Sequence, residues 1–439
     1  MTKKAVHFNT ALRATADLLA KETFPKGVVP LVIRDMLGRI RIGLEHGSKE
    51  KHQALSTRLT ESIKKLAAFA GDTEKAVLFP DDFFDPDSVF KNPDILDFYF
   101  PGSDTSFRLL DRQIIGQDWL RPQDTVSLVP RLVFFGLKGG VGRSTALTML
   151  AYDLARAGKR VLLIDFDLES PGLSGLLLPP DRLVDFGVVD WFIEDAVGQG
   201  QMVLDRMITV SPLSEHTQGE IRVAAAMGMT EDFYLSKLSR VYAEIPRQGK
   251  VEYFSQRTRR LLEALEKQEK PDVVLIDSRA GLHDLAAVSI VGLATDALLF
   301  GADSAQTWQG YRLLFSHWQT CPAVLRAVRE RLIMIEALFP DLDQAARAER
   351  FLENAHALFS DTIYDRIEPG EDMENVETFN FPINDDSAPH YPLRIKWNSR
   401  FQEFDPLLLT QGIMTDADIA ATFGGFLEGI KRRVLGDES

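Results

Sequence analysis

Leu132-Val133-Phe134-Phe135-Gly136-Leu137-Lys138-Gly139-Gly140-Val141-Gly142-Arg143-Ser144-Thr145 is the stretch from which the rest of this 439-residue chain is read. Its first part, Leu132–Leu137, is an almost unbroken apolar run, the pattern of a strand buried on both faces of a parallel sheet. Three glycines follow, and then Leu147, Leu150, Ala151 and Leu154 recur at the three- and four-residue spacing of a helix. Glycines between a strand and a helix let the backbone curl until several N–H groups face one anion, and the positive end of the helix adds to that field. The segment therefore predicts a phosphate cradle. A flexible turn is the plainer reading of Gly139-Gly140-Val141-Gly142, but the strand before, the helix after and two carboxylate motifs downstream argue against it. The usual form G-x-x-x-x-G-K-[ST] is altered twice, with Leu137 in place of the first glycine and Arg143 in place of the lysine.

Working outward, short apolar runs alternate with helical stretches at Arg160–Asp165, Ile221–Ala225, Val273–Asp277, Ala297–Phe300, Leu332–Ala337 and Leu393–Trp397. This alternation predicts an α/β fold, a doubly wound and mostly parallel sheet spanning residues 126–439. The segment 341–374 is helical and polar in pattern and reads as an insertion between the last two strands. Residues 1–125 differ. Two apolar runs, Val28–Ile33 and Ile40–Leu44, suggest a hairpin, and Leu55, Leu59, Ile63 and Leu66 follow at helical spacing, so a small amino-terminal α/β domain is expected. Its residue types do not disclose a role.

The run Lys138-Gly139-Gly140-Val141-Gly142-Arg143 resembles the deviant P-loop of the ATPases usually called the ParA/MinD group, of the SIMIBI class. Two further segments stand in that group's order. Lys159–Asp167 looks like its strand ending in Asp-x-Asp, and Asp272–Gly281 looks like its Walker B strand with an Asp-x-x-x-Gly switch. The resemblance covers roughly residues 131 to 435 and leaves the amino-terminal domain outside. It implies that ATP with Mg²⁺ lies along Lys138, Gly139, Gly140, Val141, Gly142, Arg143, Ser144 and Thr145. Ser144 would ligate the ion through its hydroxyl, with Asp165 and Asp277 holding it directly or through its waters. Asp167 matches the residue that orients or polarises the attacking water, and Gly281 matches one that senses the γ-phosphate through its N–H. Lys138 matches a lysine that crosses to the nucleotide of a partner subunit, which implies an ATP-dependent homodimer.

Arg143 is the main departure. Guanidinium keeps the charge of lysine but presents a longer planar fork, so binding is expected to survive and hydrolysis to be slow and partner-stimulated. A hydrolysis-deficient ATP-binding scaffold or sensor subunit of an assembly is the alternative. A phosphotransferase on the same loop is a third reading, with no acceptor site visible. Arg394-Ile395-Lys396-Trp397-Asn398 stands where relatives carry an adenine-touching loop, but the proline of that loop is missing and Pro392 comes too early.

Composition limits the other classes. Hydrophobic content of 45% with 26% charged residues, and no apolar run near the ~20 residues needed to cross a bilayer, predicts a globular chain. Residues 1–8 lack an apolar signal core, which places the protein in the cytoplasm. The net charge of −14 gives no indication of nucleic-acid binding. The amino-terminal domain is expected to select an unidentified protein partner. Cys321 alone offers neither a disulfide nor a zinc cluster and reads as a small core residue. None of the eight histidines pairs at metal spacing; His283, just past the switch, reads as a packing or surface residue. Ser170-Pro171-Gly172-Leu173-Ser174 reads as a tight turn, and the five tryptophans as core anchors. Ile419, Phe423, Phe426, Leu427, Ile430 and Val434 share one face of a last helix beside Lys431, Arg432 and Arg433. Docking on the sheet is favoured there over the membrane, because three basic residues give little membrane affinity.

Overall fold

The computed structural model describes residues 6–103, 105–121, 127–229, 233–366, 378–402, 405–411 and 414–436. The chain divides into two compact units, Met1–Arg121 with Ser316–Val324, and Pro122–Phe315 with Leu325–Ser439. The boundary expected near residue 125 falls on residues outside the described set.

The first unit is a five-stranded sheet of β1 (Pro30–Arg34), β2 (Ile40–Leu44), β3 (Val77–Leu78), β4 (Ile95–Tyr99) and β5 (Ser106–Asp111), in the order β3-β2-β1-β5-β4. β1 and β2 pair antiparallel, whereas β1 and β5 pair parallel. The turn between β1 and β2 is held by the Asp35 carboxylate, which accepts from the backbone N–H of Leu37 and of Arg39, each at 2.9 Å. Gly38 takes φ +83° there, a conformation costly for a side-chain-bearing residue. The helices Phe8–Lys21 and Gln53–Ile63 close the core, laying Leu12, Leu55, Leu59 and Ile63 against Val32, Ile42 and Leu109.

The second unit holds β6 (Arg131–Gly136), β7 (Arg160–Phe166), β8 (Ile208–Val210), β9 (Glu220–Ala224), the small ribbon β10 (Ile245–Arg247) and β11 (Lys250–Glu252), then β12 (Val273–Ser278), β13 (Asp296–Gly301), β14 (Leu332–Phe339) and β15 (Leu393–Lys396). The main sheet runs β15-β14-β13-β6-β12-β7-β9-β8, all parallel except β8. Each of the seven strands read from the sequence is present. β8 was missed: it is three half-buried residues at an antiparallel edge, too short for a periodic signal.

β6 lies between β12 and β13, so the chain leaves it in one direction towards β7 and returns on its other side at β13. The carboxyl ends of strands at such a reversal form a crevice that open α/β sheets use for ligands. The helix Gln344–Thr362 stands between β14 and β15 where the insertion is expected; residues 367–374 of that segment lie outside the described ones.

The last helix, Asp416–Ile430, buries Phe423, Phe426, Leu427 and Ile430 with Phe134, Phe300 and Leu393 of the sheet. Four such side chains, at about 1.5–3 kcal/mol each, hold it there and leave that face closed to a bilayer. The side chain of Val434 is outside the described set. No described helix is long and apolar enough to cross a membrane. Cys321 is buried, as are Trp119, Trp191 and Trp318. Trp397 departs from the core-anchor reading, being 48% exposed.

Candidate functional site

The glycine loop sits at the carboxyl end of β6. Gly140 and Gly142 adopt φ +75° and +78°, and Gly142 caps the helix Arg143–Arg156. A Cβ on Gly139, Gly140 or Gly142 would meet no atom within 4 Å, so the three glycines border open space rather than packed protein. Lys138 is exposed beside them, and Val141 and Thr145 are half-buried.

The carboxylates come from the two neighbouring strands. β12 pairs with β7 so that Asp277 stands directly opposite Asp165. Ser144 donates its hydroxyl to Asp277 Oδ2 at 2.6 Å. Asp165 accepts the N–H of Asp167 at 3.0 Å and of Leu173 at 3.2 Å. The segment 170–174 therefore turns, as expected, and also lines the site. Two oxygens here, Asp277 Oδ1 and Asp167 Oδ1, are buried without a hydrogen-bond partner among the described residues.

Electrostatics makes this arrangement costly as it stands. Burial pushes the Asp165 carboxyl well above the ordinary carboxylate range, and the charge of Asp277 pushes it further. Burial also raises Asp277, opposed by Arg143 and by the Ser144 hydroxyl. Asp167 is raised for the same reason, opposed by Arg143 and Arg279. Two adjacent buried carboxyls that resist ionising together are stabilised by a divalent cation, whose uptake releases protons and weakens as pH falls. The described residues hold no cluster of three or more His, Cys, Asp or Glu arranged as a metal cage. The donors present are the Ser144 hydroxyl and the carboxylates of Asp165 and Asp277, oxygen ligands of the kind Mg²⁺ takes together with phosphate and water.

Two expectations need correction. The Arg143 guanidinium is not in the glycine cradle. It is buried, donating from Nη1 to the carbonyl of Ser278 at 2.7 Å, with Nη2 3.7 Å from Asp167 Oδ2. The longer reach of arginine lets it span to the end of β12. The N–H of Gly281 already donates to the carbonyl of Gly136 at 3.0 Å, so it cannot report on a phosphate while that bond stands.

A neighbouring cluster was missed by the sequence reading. Glu169 Oε1 lies 2.8 Å from Arg279 Nη1 and 3.4 Å from His283 Nε2, and it accepts the Tyr242 hydroxyl. His283 packs edge-on against Tyr242 at 5.3 Å. The alternation Asp165, Asp167, Glu169 was the available signal for the carboxylate. Nothing local marked Tyr242, which arrives from the end of a separate helix.

Beside the cradle lies a cleft of ≈ 450 Å³ whose walls include Gly140, Val141, Thr145, Ile395, Trp397 and Phe423. The stretch Ile395–Asn398 thus borders the glycine loop without the proline of the adenine-touching loop. Trp397 and Phe423 give the cleft aromatic surface, and Lys396, Asn398 and Gln402 give it polar groups.

Comparison with known proteins finds similarity over this part of the chain. Residues 132–331 match the family described as CobQ/CobB/MinD/ParA nucleotide binding domain. Over 54 residues the chain is 46% identical to the chromosome-partitioning ATPase Soj of Thermus thermophilus, a match spanning 12% of this chain and 22% of that relative. Among solved structures, Cyanothece McdA in complex with ATP is similar at 15% identity, covering 72% of this chain and 99% of the other, with a TM-score of 0.43. Cobyrinic acid a,c-diamide synthase from Mycobacterium smegmatis, with bound ATP analogue and magnesium, shares 19% identity over 50% of this chain and 77% of its own, with a TM-score of 0.36. A plasmid partition protein from Borrelia burgdorferi shares 14% over 70% of this chain and 100% of its own, with a TM-score of 0.41. The matched region, residues 132–331, contains the loop, both carboxylate strands and the switch.

Proposed function

We propose that this chain is an ATP-driven switch. Mg²⁺-ATP lies along residues 138–145, closes a homodimer, and is hydrolysed slowly until a protein partner, selected by the amino-terminal unit, accelerates it. The observation that carries the reading is the pair of buried, unpartnered oxygens on Asp167 and Asp277 beside the Ser144 hydroxyl and an open glycine cradle. Ser144, Asp165 and Asp277 are the residues that would hold Mg²⁺, which when bound supplies positive charge against the phosphate oxygens. Asp167 is set to orient a water. The backbone N–H groups of 139–145 and the start of the helix Arg143–Arg156 bind the phosphates, and the cleft at Ile395–Asn398 takes the base. The direct test is ATP loss by the purified chain with and without a candidate partner. Slow loss that a partner accelerates supports the switch, whereas no loss under any condition favours the scaffold.

Arg143 becomes a brace between the glycine loop and the switch in this account, tying the helix start to the Ser278 carbonyl. Arg143→Lys shortens that brace and frees an ammonium to face the cradle. Mg²⁺-ATP binding should persist, with turnover unchanged or up to about tenfold faster. Loss of binding, read by calorimetry, would mean that the pocket depends on the guanidinium fork.

Assembly is assigned to Lys138. An exposed ammonium contributes little in water, but entering a partly desolvated phosphate site on a second subunit it contributes far more. Wild-type protein should shift from monomer to dimer in light scattering when a slowly hydrolysed ATP analogue is added. Lys138→Ala should bind the analogue within about threefold of wild type and stay monomeric. A variant that dimerises as readily as wild type would remove this role.

A further inference from the structure

The first unit contains a cavity of ≈ 250 Å³ that the nucleotide chemistry does not use. Its apolar surface comes from Leu12, Leu96, Phe98, Leu109 and Leu120, with Phe8 and Phe100 adding aromatic surface. Its polar lining is of two kinds. The charged groups are already matched: Arg34 forms a two-bond pair with Asp111, Nε to Oδ1 at 2.7 Å, and Arg121 donates to Asp94 at 2.7 Å and to Asp118 at 2.9 Å. Of the neutral groups, Thr320 donates its hydroxyl to the His317 carbonyl at 2.6 Å, and the others are unmatched. The side-chain amides of Asn9, Gln113 and Gln117 and the ring of His317 also line the cavity, and none of them makes a side-chain hydrogen bond within the described residues.

This division states what would fit. A charged ligand would have to break a bidentate pair that protein groups already satisfy, at the full cost of leaving one buried charge exposed to an apolar wall. An uncharged ligand leaves both pairs intact and finds amides, which each offer donors and an acceptor, together with an imidazole. Burial pushes His317 below the ordinary histidine value, against the pull of Asp111, so its ring presents one donor and one acceptor rather than a cation. Aromatic and leucine surfaces favour a flat molecule, and Arg34 lies 4.7 Å over the ring of Phe8, fixing that wall. The volume lies at the small end of small-molecule sites.

We infer that the amino-terminal unit binds an uncharged planar heterocycle with hydrogen-bonding edges, of the size of a nucleobase or nucleoside, in the cavity between Phe98 and His317. The site is independent of the glycine loop and stands whether or not that loop binds ATP.

The test is saturation-transfer NMR on the full chain with excess Mg²⁺-ADP present to occupy the glycine loop. The probes are the free bases adenine, guanine, cytosine, uracil and hypoxanthine, their nucleosides, and the matching 5′-monophosphates, each at about 1 mM. At least one base or nucleoside should bind wild type and its monophosphate at least about tenfold more weakly, since both guanidiniums of the lining are already ion-paired with carboxylates. Gln117→Ala should weaken that binding about tenfold, and Gln113→Trp, which fills a half-buried edge of the cavity, should abolish it. An unchanged thermal midpoint shows that each variant is folded; if Gln113→Trp fails that check, Gln117→Ala decides alone. No binding by any probe, or equal binding by wild type and the folded variants, overturns the site. Equal binding of a monophosphate overturns its preference for neutral ligands.

Discussion

Asp167→Ala should lower ATP turnover by about 10²–10⁴-fold while changing Mg²⁺-ATP affinity by less than about threefold. The expectation rests on position and environment. Asp167 follows the end of β7, two residues past Asp165, and one of its oxygens is buried without a hydrogen-bond partner among the described residues. Its other oxygen faces Arg143 at 3.7 Å. A carboxylate placed so can accept from a water, a contact needed more in the transition state than in the ground state, so its loss falls on rate rather than on binding. Single-turnover phosphate release measures the first quantity and calorimetry the second. Turnover at the wild-type rate would move the role to another residue, and Glu169, two residues further along the chain, would be tested next as Glu169→Gln. A parallel fall in affinity would mean that Asp167 holds the metal and not the water.

The second unit was legible because its strands are buried on both faces, and burial of that kind writes itself as continuous apolar runs such as Leu132–Leu137 and Val273–Asp277. The exceptions, β8 at the sheet edge and the ribbon β10–β11, are strands of three residues each, where neither run nor alternation can develop. The sequence also placed Ser144, Asp165 and Asp277 together, since each stands at the end of an element whose partner was recognisable, and the paired register of β7 and β12 then sets the two carboxylates side by side. What it could not convey was the direction of long side chains. Arg143 occupies a phosphate-facing position in the loop, but its guanidinium turns inward to the Ser278 carbonyl, a choice made by tertiary contacts. Gly281 is similar, its N–H taken by Gly136 across the sheet. Tyr242 reached Glu169 from a distant helix, and the cavity of the first unit is assembled from Phe8 to Thr320, a separation that no local pattern encodes. Trp397 looked like a core residue by type and instead borders the cleft beside the glycine loop.

The central claim is that the triphosphate lies in the glycine cradle, and Gly142→Asp examines it most directly. Gly142 has φ +78°, which aspartate tolerates better than most residues, and a Cβ there meets no atom within 4 Å, so the fold should survive. The added carboxylate would project into the space assigned to the phosphates, placing like charge against like at the positive end of the helix Arg143–Arg156. Calorimetric titration of wild type and variant with Mg²⁺-ATP, at matched thermal midpoints, should show a loss of at least about 100-fold, or about 2.7 kcal/mol. Equal affinity in the two proteins would contradict the account, because nucleotide would then bind somewhere other than residues 138–145.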